Sequence, residues 1–345
     1  MKRAVLVGCG VMGARWAAAL NASPLKERLN LVALVDVDRD VAESVKRANG
    51  LSGAIVATDL ATALEQVKAD IVFDVAVPAA RRDVVLTAFR HGCDVLTEKP
   101  MAASMKDAAN ILAAAQKQGR LHAVMQNRRF KQSIRRIRAF LASGAIGELS
   151  SMHCDFFIGA HFGGFRDAME HVLLLDMAIH TFDAARFMSG KDALAVYCQE
   201  SNPKSSWYAH GAAANAIFEM SDAVTFTYRG SWAAEGANTS WEAAWRIIGS
   251  RGTLLWDGED KITVNVVDGT EGFFRPLREV TVPDWSDATV TGEHTSAIAN
   301  FLDALDGGKA PESVGSDNIK SLAMVFAAIE SARRRQLTLV ETGLV

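Results

Sequence analysis

The sequence predicts an α/β protein with an N-terminal Rossmann domain and a C-terminal α/β domain built on a large open, mainly antiparallel sheet. Three observations predict it. A glycine-patterned turn lies between an apolar run and a helical segment at the very start. Strand-like and helix-like segments then alternate up to about residue 125, as right-handed βαβ units require. After that point the texture changes to strands with short connections. A chain of 345 residues exceeds one typical core, so two domains are expected, 1–125 and 126–345.

The elements follow in order. Residues 4–7, 29–35, 55–58, 71–77, 94–96 and 121–125 are short apolar runs, read as parallel strands. Residues 12–20, 39–48, 81–91 and 104–118 carry helical spacing between them. Beyond a helix over 131–142 and the turn "SGAIGE", strands are expected at 149–157, 193–200, 212–220, 223–232, 244–249, 253–256 and 261–267. Val224, Phe226 and Tyr228 alternate on one face. Two helices, 295–306 and 317–334, close the chain.

Composition narrows the function. The net charge of −3 offers no field for nucleic acid or an anionic membrane. The segment "RRFKQSIRRIR" is rich in cations, but Ile134, Ile137 and Leu141 keep a helical stripe, which makes the charges a solvated face. Cys9, Cys93, Cys154 and Cys198 show neither metal-ligand spacing nor a disulfide framework, so no metal and a reducing, cytoplasmic setting are expected. The N-terminal stretch imitates a secretory leader, but Arg15 interrupts it, and no apolar run is long enough to span a bilayer.

"VLVGCGVMG" places Gly8, Gly10 and Gly13, with Val11 and Met12 between them, at a strand-to-helix turn. The glycines permit a tight turn, close approach of a pyrophosphate to the backbone, and close helix–strand packing. Asp36 ends the second strand, 23 residues after Gly13, where a carboxylate accepts hydrogen bonds from an adenine ribose. Its charge opposes a 2′-phosphate, so NAD is expected over NADP, with Arg39 the one nearby cation that could cover a phosphate. Val77 and Pro78 end the fourth strand at the crevice where such cofactors lie.

"HVLLLDMAIHTFDAARFM" reads as a buried helix whose Asp176, His180 and Asp183 fall at i, i+4 and i+7 on one face. Such a stripe is either a structural hydrogen-bond network or a substrate pocket.

With "VLVGCGVMG", "VDVD", "DVAVPAA", "HGCDVLTEKPMA" and "LLLDMAIHTFD" in this order, the chain resembles the Gfo/Idh/MocA oxidoreductases. The resemblance implies NAD(P)-dependent oxidation or reduction of a sugar, cyclitol or related polyol. It implies that Glu98, Lys99 and Pro100 form a site beside the nicotinamide, with a cis Lys99–Pro100 bond. It implies a catalytic set of Lys99, Asp176 and His180 and substrate contacts from Asn127, Arg128 and Asp183. The length of the large sheet and its alternating apolar residues would leave an exposed patch, so a homodimer or homotetramer is expected. His180, with an ordinary pKa of about 6.5, is suited to trade the hydroxyl proton. Lys99 suits a developing alkoxide. An NAD-dependent glycoside hydrolase that oxidises transiently, and a non-enzymatic dinucleotide sensor, are the alternatives. Two departures stand out. Arg81 and Arg82 follow Pro78 where the family often has a histidine, and Glu170, His171 and Val172 replace three usual glycines. His161, Arg166 and His171 are further pocket candidates.

Overall fold

A computed structural model describes residues 1–284 and 292–343. The chain forms two compact units.

The first unit comprises Met1–Phe130, Thr289–Ile319 and Thr342–Val345. Its elements are β1 (Lys2–Val7), α1 (Val11–Leu20), β2 (Leu29–Val35), α2 (Arg39–Ala48), β3 (Ile55–Ala57), α3 (Leu60–Val67), β4 (Ile71–Asp74), α4 (Pro78–Arg90), β5 (Asp94–Glu98), α5 (Met105–Gln118) and β6 (His122–Met125). The six strands lie in the order β3-β2-β1-β4-β5-β6, all parallel. The strand order reverses between β1 and β4, so their carboxyl ends flank the crevice that binds ligands in sheets of this kind. Local chemistry starts the helices. Asp38 accepts from the backbone N–H groups of Asp40 and Val41, Asp59 from Thr62 and Ser104 from Asp107. α3, whose buried stripe is Leu60, Ala63, Leu64 and Val67, lies outside the helices expected from the sequence.

The second unit comprises Lys131–Ala288 and Lys320–Glu341. It contains α6 (Gln132–Ala142), β7 (Leu149–Phe157), α7 (Ile179–Ser189), β8 (Ala193–Ser201), β9 (Ala213–Met220), β10 (Thr225–Ser231), β11 (Ala244–Gly249), β12 (Gly252–Trp256), β13 (Ile262–Val267) and β14 (Leu277–Val280). After α8 (Glu293–Leu305) come α9 (Gly315–Arg334) and β15 (Thr338–Leu339). The nine-stranded order is β14-β13-β12-β11-β7-β10-β9-β8-β15. Every pairing is antiparallel except β7 with β10. The two short edge strands, β14 and β15, were not expected from the sequence. One sheet face is apolar and lies against α7, whose Phe182 ring sits 4.9 Å from Phe218 and 5.2 Å from Tyr228. The other face carries Asp155, Arg229, His153 and Thr227, and Arg229 donates to Asp155 at 2.7 Å.

The expected division at residue 125 therefore differs from the observed one. The first unit continues to Phe130 and takes back α8. The reason is apolar burial: Ile298, Phe301 and Leu302 of α8 are buried in the first unit's core. Phe301 meets Phe73 of β4 edge-on at 6.5 Å. Each such side chain contributes about 1.5–3 kcal/mol when buried, which a sequence read in order of elements does not reveal.

Candidate active site

The first unit presents a dinucleotide cradle. Gly8 has φ +85°, and a side chain there would strike the backbone of Val75. A side chain on Gly13 would strike the carbonyl of Gly8, so the first turn of α1 packs directly on β1. At Gly10 an added Cβ meets nothing within 4 Å, which leaves the backbone at the start of α1 open to a phosphate. Asp36 lies just after β2. Its Oδ2 accepts from the Cys9 N–H at 2.6 Å and its Oδ1 from the Asp38 N–H at 3.0 Å. The carboxylate is thereby fixed over the glycine turn, with further lone pairs available for ribose hydroxyls. Val11 at the start of α1, and Val37 and Val77 in the turns after β2 and β4, are 81%, 93% and 68% exposed. Apolar side chains exposed along one sheet edge suit the faces of a bound dinucleotide. Val37 was not singled out from the sequence. Cys9 sits inside the turn, and burial, with Asp36 beside it, pushes its thiol up to about 12, so it is chemically inert. These residues fit NAD. Arg39 pairs with Glu43 at 3.7 Å and is 60% exposed, so its guanidinium is a solvated group at the start of α2.

The Glu98–Lys99–Pro100 turn ends β5 on the same sheet edge, and the Lys99–Pro100 bond is cis. Glu98 is buried. Its Oε2 accepts from the Lys99 N–H at 2.6 Å, and its Oε1 accepts from Trp16 Nε1 at 3.4 Å. Beneath this turn lies Arg81, buried on α4, 3.2 Å from the equally buried Asp74. Burial raises the Asp74 carboxyl to about 6 despite the arginine. Val77 and Pro78 open α4, Pro78 in its first turn. Asn127 donates to Glu293 of α8 at 2.7 Å. Arg128 is half-buried in the same turn. Its neighbour Arg129 is buried and bonded to Asp317 at 2.9 Å, a structural clamp to the start of α9.

The second unit carries the acid and histidine candidates. Leu173–Ala178 forms a π-helical segment that runs into α7. The expected continuous α-helical stripe is thus corrected. The wider turn, bonded i to i+5, changes the phase of the helix at Asp176, and such segments favour functional sites. Asp176 lies on the π segment and His180 in the first turn of α7. Arg166 donates to Asp176 from Nε at 2.8 Å and from its terminal nitrogen at 3.3 Å. The same guanidinium lies over the rings of Phe162 and Phe165, at 5.0 and 4.8 Å. The sequence named Arg166 a pocket candidate without showing this pairing, because ten residues and a loop separate the partners.

Asp183 does not share that environment. It is buried and accepts from Ser321 Oγ of α9 at 2.6 Å, with Arg186 4.0 Å away. Asp183, expected as a substrate contact, joins a hydrogen-bond network between α7 and α9. The Glu170–His171–Val172 replacement divides three ways. Glu170 is exposed and Val172 is buried. His171 has φ +52°, a conformation in which glycine is most at ease, and its Nδ1 lies 2.6 Å from Glu200 Oε2. That bond to Glu200 raises the His171 pKa. His161 stacks on Trp207 at 3.6 Å and reaches Glu235 at 3.0 Å. Among the described residues no cluster of His, Cys, Asp or Glu could hold a metal ion, and no helix is long and apolar enough to cross a membrane.

Comparison with known proteins agrees with both units. Residues 2–126 match the oxidoreductase family with an NAD-binding Rossmann fold, and residues 134–255 match the Gfo/Idh/MocA C-terminal domain. A D-apiose dehydrogenase of Paraburkholderia graminis is 27% identical over 342 residues, covering 96% of this chain and 88% of that protein. An inositol 2-dehydrogenase of Saccharopolyspora erythraea is 30% identical over 196 residues, 56% of each chain. An oxidoreductase from Agrobacterium radiobacter, solved with NAD+, L-tartaric acid and magnesium, superposes with a TM-score of 0.84 at 22% identity over 99% of both chains. The glycine cradle, the Asp36 carboxylate, the Glu98–Lys99–Pro100 turn and both matched domains together place this chain in the NAD-binding Gfo/Idh/MocA oxidoreductase family.

Proposed function

We infer that the protein oxidises a hydroxyl-bearing carbon of a sugar, cyclitol or similar polyol, or reduces the matching carbonyl, with NAD as redox partner. One observation carries this reading. Lys99 stands at the carboxyl end of β5, on the sheet edge that holds the glycine cradle, in a chain similar along nearly its whole length to a D-apiose dehydrogenase. NAD, when bound, supplies the carbon that accepts the hydride.

This chain's own residues handle the proton and the charge. In oxidation the substrate C–H bond gives up its hydrogen with both electrons, and the hydroxyl proton passes to the His180 imidazole. Lys99, as a fixed ammonium, lowers the energy of the alkoxide that develops between these events. Asp176, one helical turn before His180, is held by Arg166. The segment that follows β7, with His161 and Arg166, and the His171 turn contribute to substrate selection. Asp36 favours NAD over NADP by charge.

The test is NADH formation with a panel of free sugars, cyclitols and aldonates, with NAD and with NADP. Steady NADH production supports the reading. Release of an aglycone from glycosides at constant NADH would replace it with hydrolysis through transient oxidation. Tight NAD binding with no turnover of any polyol or glycoside would replace it with a sensor.

A further inference from the structure

Lys99 is held by main-chain bonds on both sides. Its own N–H donates to Glu98 Oε2 at 2.6 Å. The carbonyl of the next residue, Pro100, accepts from Arg81 Nη1. The other nitrogens of that guanidinium reach elsewhere. Nη2 donates to the Ala76 carbonyl at 2.6 Å, and Nε lies 3.2 Å from Asp74 Oδ2. Asp74 Oδ1 in turn accepts from the Ala76 N–H at 3.0 Å. Arg81 and Asp74 therefore grip both polar groups of Ala76, next to Val77 in the cofactor crevice, while Arg81 alone reaches across to the lysine turn. Only a guanidinium presents donors in a fixed plane to three such partners, whereas a lysine is a point charge.

Charge placement supports a purpose beyond packing. Arg81, Asp74 and Glu98 are all buried. Buried ionic groups are weak sources of stability, and apolar side chains would serve as well for that alone. The remaining titratable group facing Arg81 is His122 of β6, fully buried, bonded to Thr97 and pushed down to about 3 by burial and then by Arg81. It is neutral, so it adds no competing charge.

We propose that Arg81 is a positioning residue of the oxidoreductase site: its guanidinium ties the Glu98–Lys99–Pro100 turn to the end of β4 and so fixes the Lys99 ammonium relative to the cofactor crevice. The proposal rests on Lys99 acting in turnover, as inferred above. It also accounts for an arginine following Pro78 in this chain. The motion it prevents is small, but misplacement by about 1 Å costs about 10²-fold in rate.

A double-mutant cycle tests it, with full-length enzyme, NAD and a polyol that yields NADH. Arg81→Gln and Arg81→Lys are expected to lower kcat about ten-fold or more, with NAD affinity, read by titration calorimetry, kept within about three-fold. In a Lys99→Ala background the same Arg81 changes should alter the residual kcat less than about two-fold, since groups acting through one another are not additive. An equal loss in both backgrounds, or a loss of NAD affinity that accounts for the whole effect, overturns the proposal. Should the Arg81 variants fail to fold, Asp74→Asn decides in the same cycle. Loosening one prong of the clamp should lower kcat only while Lys99 is present, and an unchanged kcat counts against it. Failure of the underlying reading looks different: Lys99→Ala alone would then retain wild-type kcat.

Discussion

Arg166 and Asp176 form a two-pronged ion pair, at 2.8 and 3.3 Å, between the segment after β7 and the π-helical segment. The aspartate side chain is 14% exposed and the arginine 32%, so water screens the pair only in part. Arg166→Gln is expected to lower kcat/KM about 10- to 100-fold, the range set by a charge-assisted pair worth about 1.5–3 kcal/mol. Arg166→Lys should recover part of this. Steady-state kinetics on the purified variants checks it, and wild-type kcat/KM in Arg166→Gln would show that Asp176 acts without its partner.

Lys99→Ala and His180→Ala should each reduce kcat about 10²- to 10⁴-fold, the usual worth of acid–base assistance. NAD affinity should change far less. Titration calorimetry and turnover measured on the same preparations separate the two effects. A His180→Ala enzyme within a few-fold of wild type would place the base elsewhere.

NAD should bind more tightly than NADP, because the Asp36 carboxylate is held in place by the Cys9 and Asp38 N–H groups and has no freedom to swing from a 2′-phosphate. Asp36→Ser should narrow the difference between the cofactors. Titration of both with wild type and variant is the measurement, and an NADP preference in wild type would refute the argument.

His171 offers a stability crossover with pH. Its pKa is raised by the Glu200 hydrogen bond, burial opposes this, and the Glu200 and Glu170 charges add to the rise. A histidine with a raised folded pKa contributes stability that is fully present below the unfolded value of about 6.5 and is lost as pH rises through the folded value. Against this, its φ of +52° costs about 1 kcal/mol that glycine would not incur. His171→Gly should therefore melt below wild type at pH near 5 and match or exceed it well above the folded pKa. A constant difference in Tm across pH would mean that the His171–Glu200 pair contributes nothing.

The polar face of the large sheet bears one apolar patch. Tyr197 of β8 and Ile217 of β9 are directly paired and 45% and 53% exposed, and Leu194 of β8 and Leu339 of the neighbouring strand β15 are also exposed. We expect a homodimer or homotetramer that covers this patch. Light scattering at micromolar concentration should show it, and Ile217→Arg should shift the protein toward monomer. A wild-type monomer would end the argument.

The sequence by itself determined what depends on local pattern. The glycine spacing and the alternation of strands and helices sufficed for the parallel sheet, since each βαβ unit is a near-neighbour structure. Asp36 was legible because it ends a strand that composition already marked, whereas the role of the Glu98–Lys99–Pro100 turn was legible only through the family resemblance. Period-two alternation in residues such as Phe226 and Tyr228 disclosed the buried face of the second sheet. Tertiary structure alone decided what depends on partners distant in sequence. It sent α8 back into the first unit's core, because its apolar face fits beside Phe73. It brought Asp183 to Ser321 of α9, 138 residues away. It gave Asp176 to Arg166 through a π turn that no helical periodicity encodes. It made Arg81 the tie between the Ala76 and Pro100 carbonyls. In each case a buried charge or an apolar face must be matched, and the chain meets that demand with whichever side chain the fold brings near, whatever its place in the sequence.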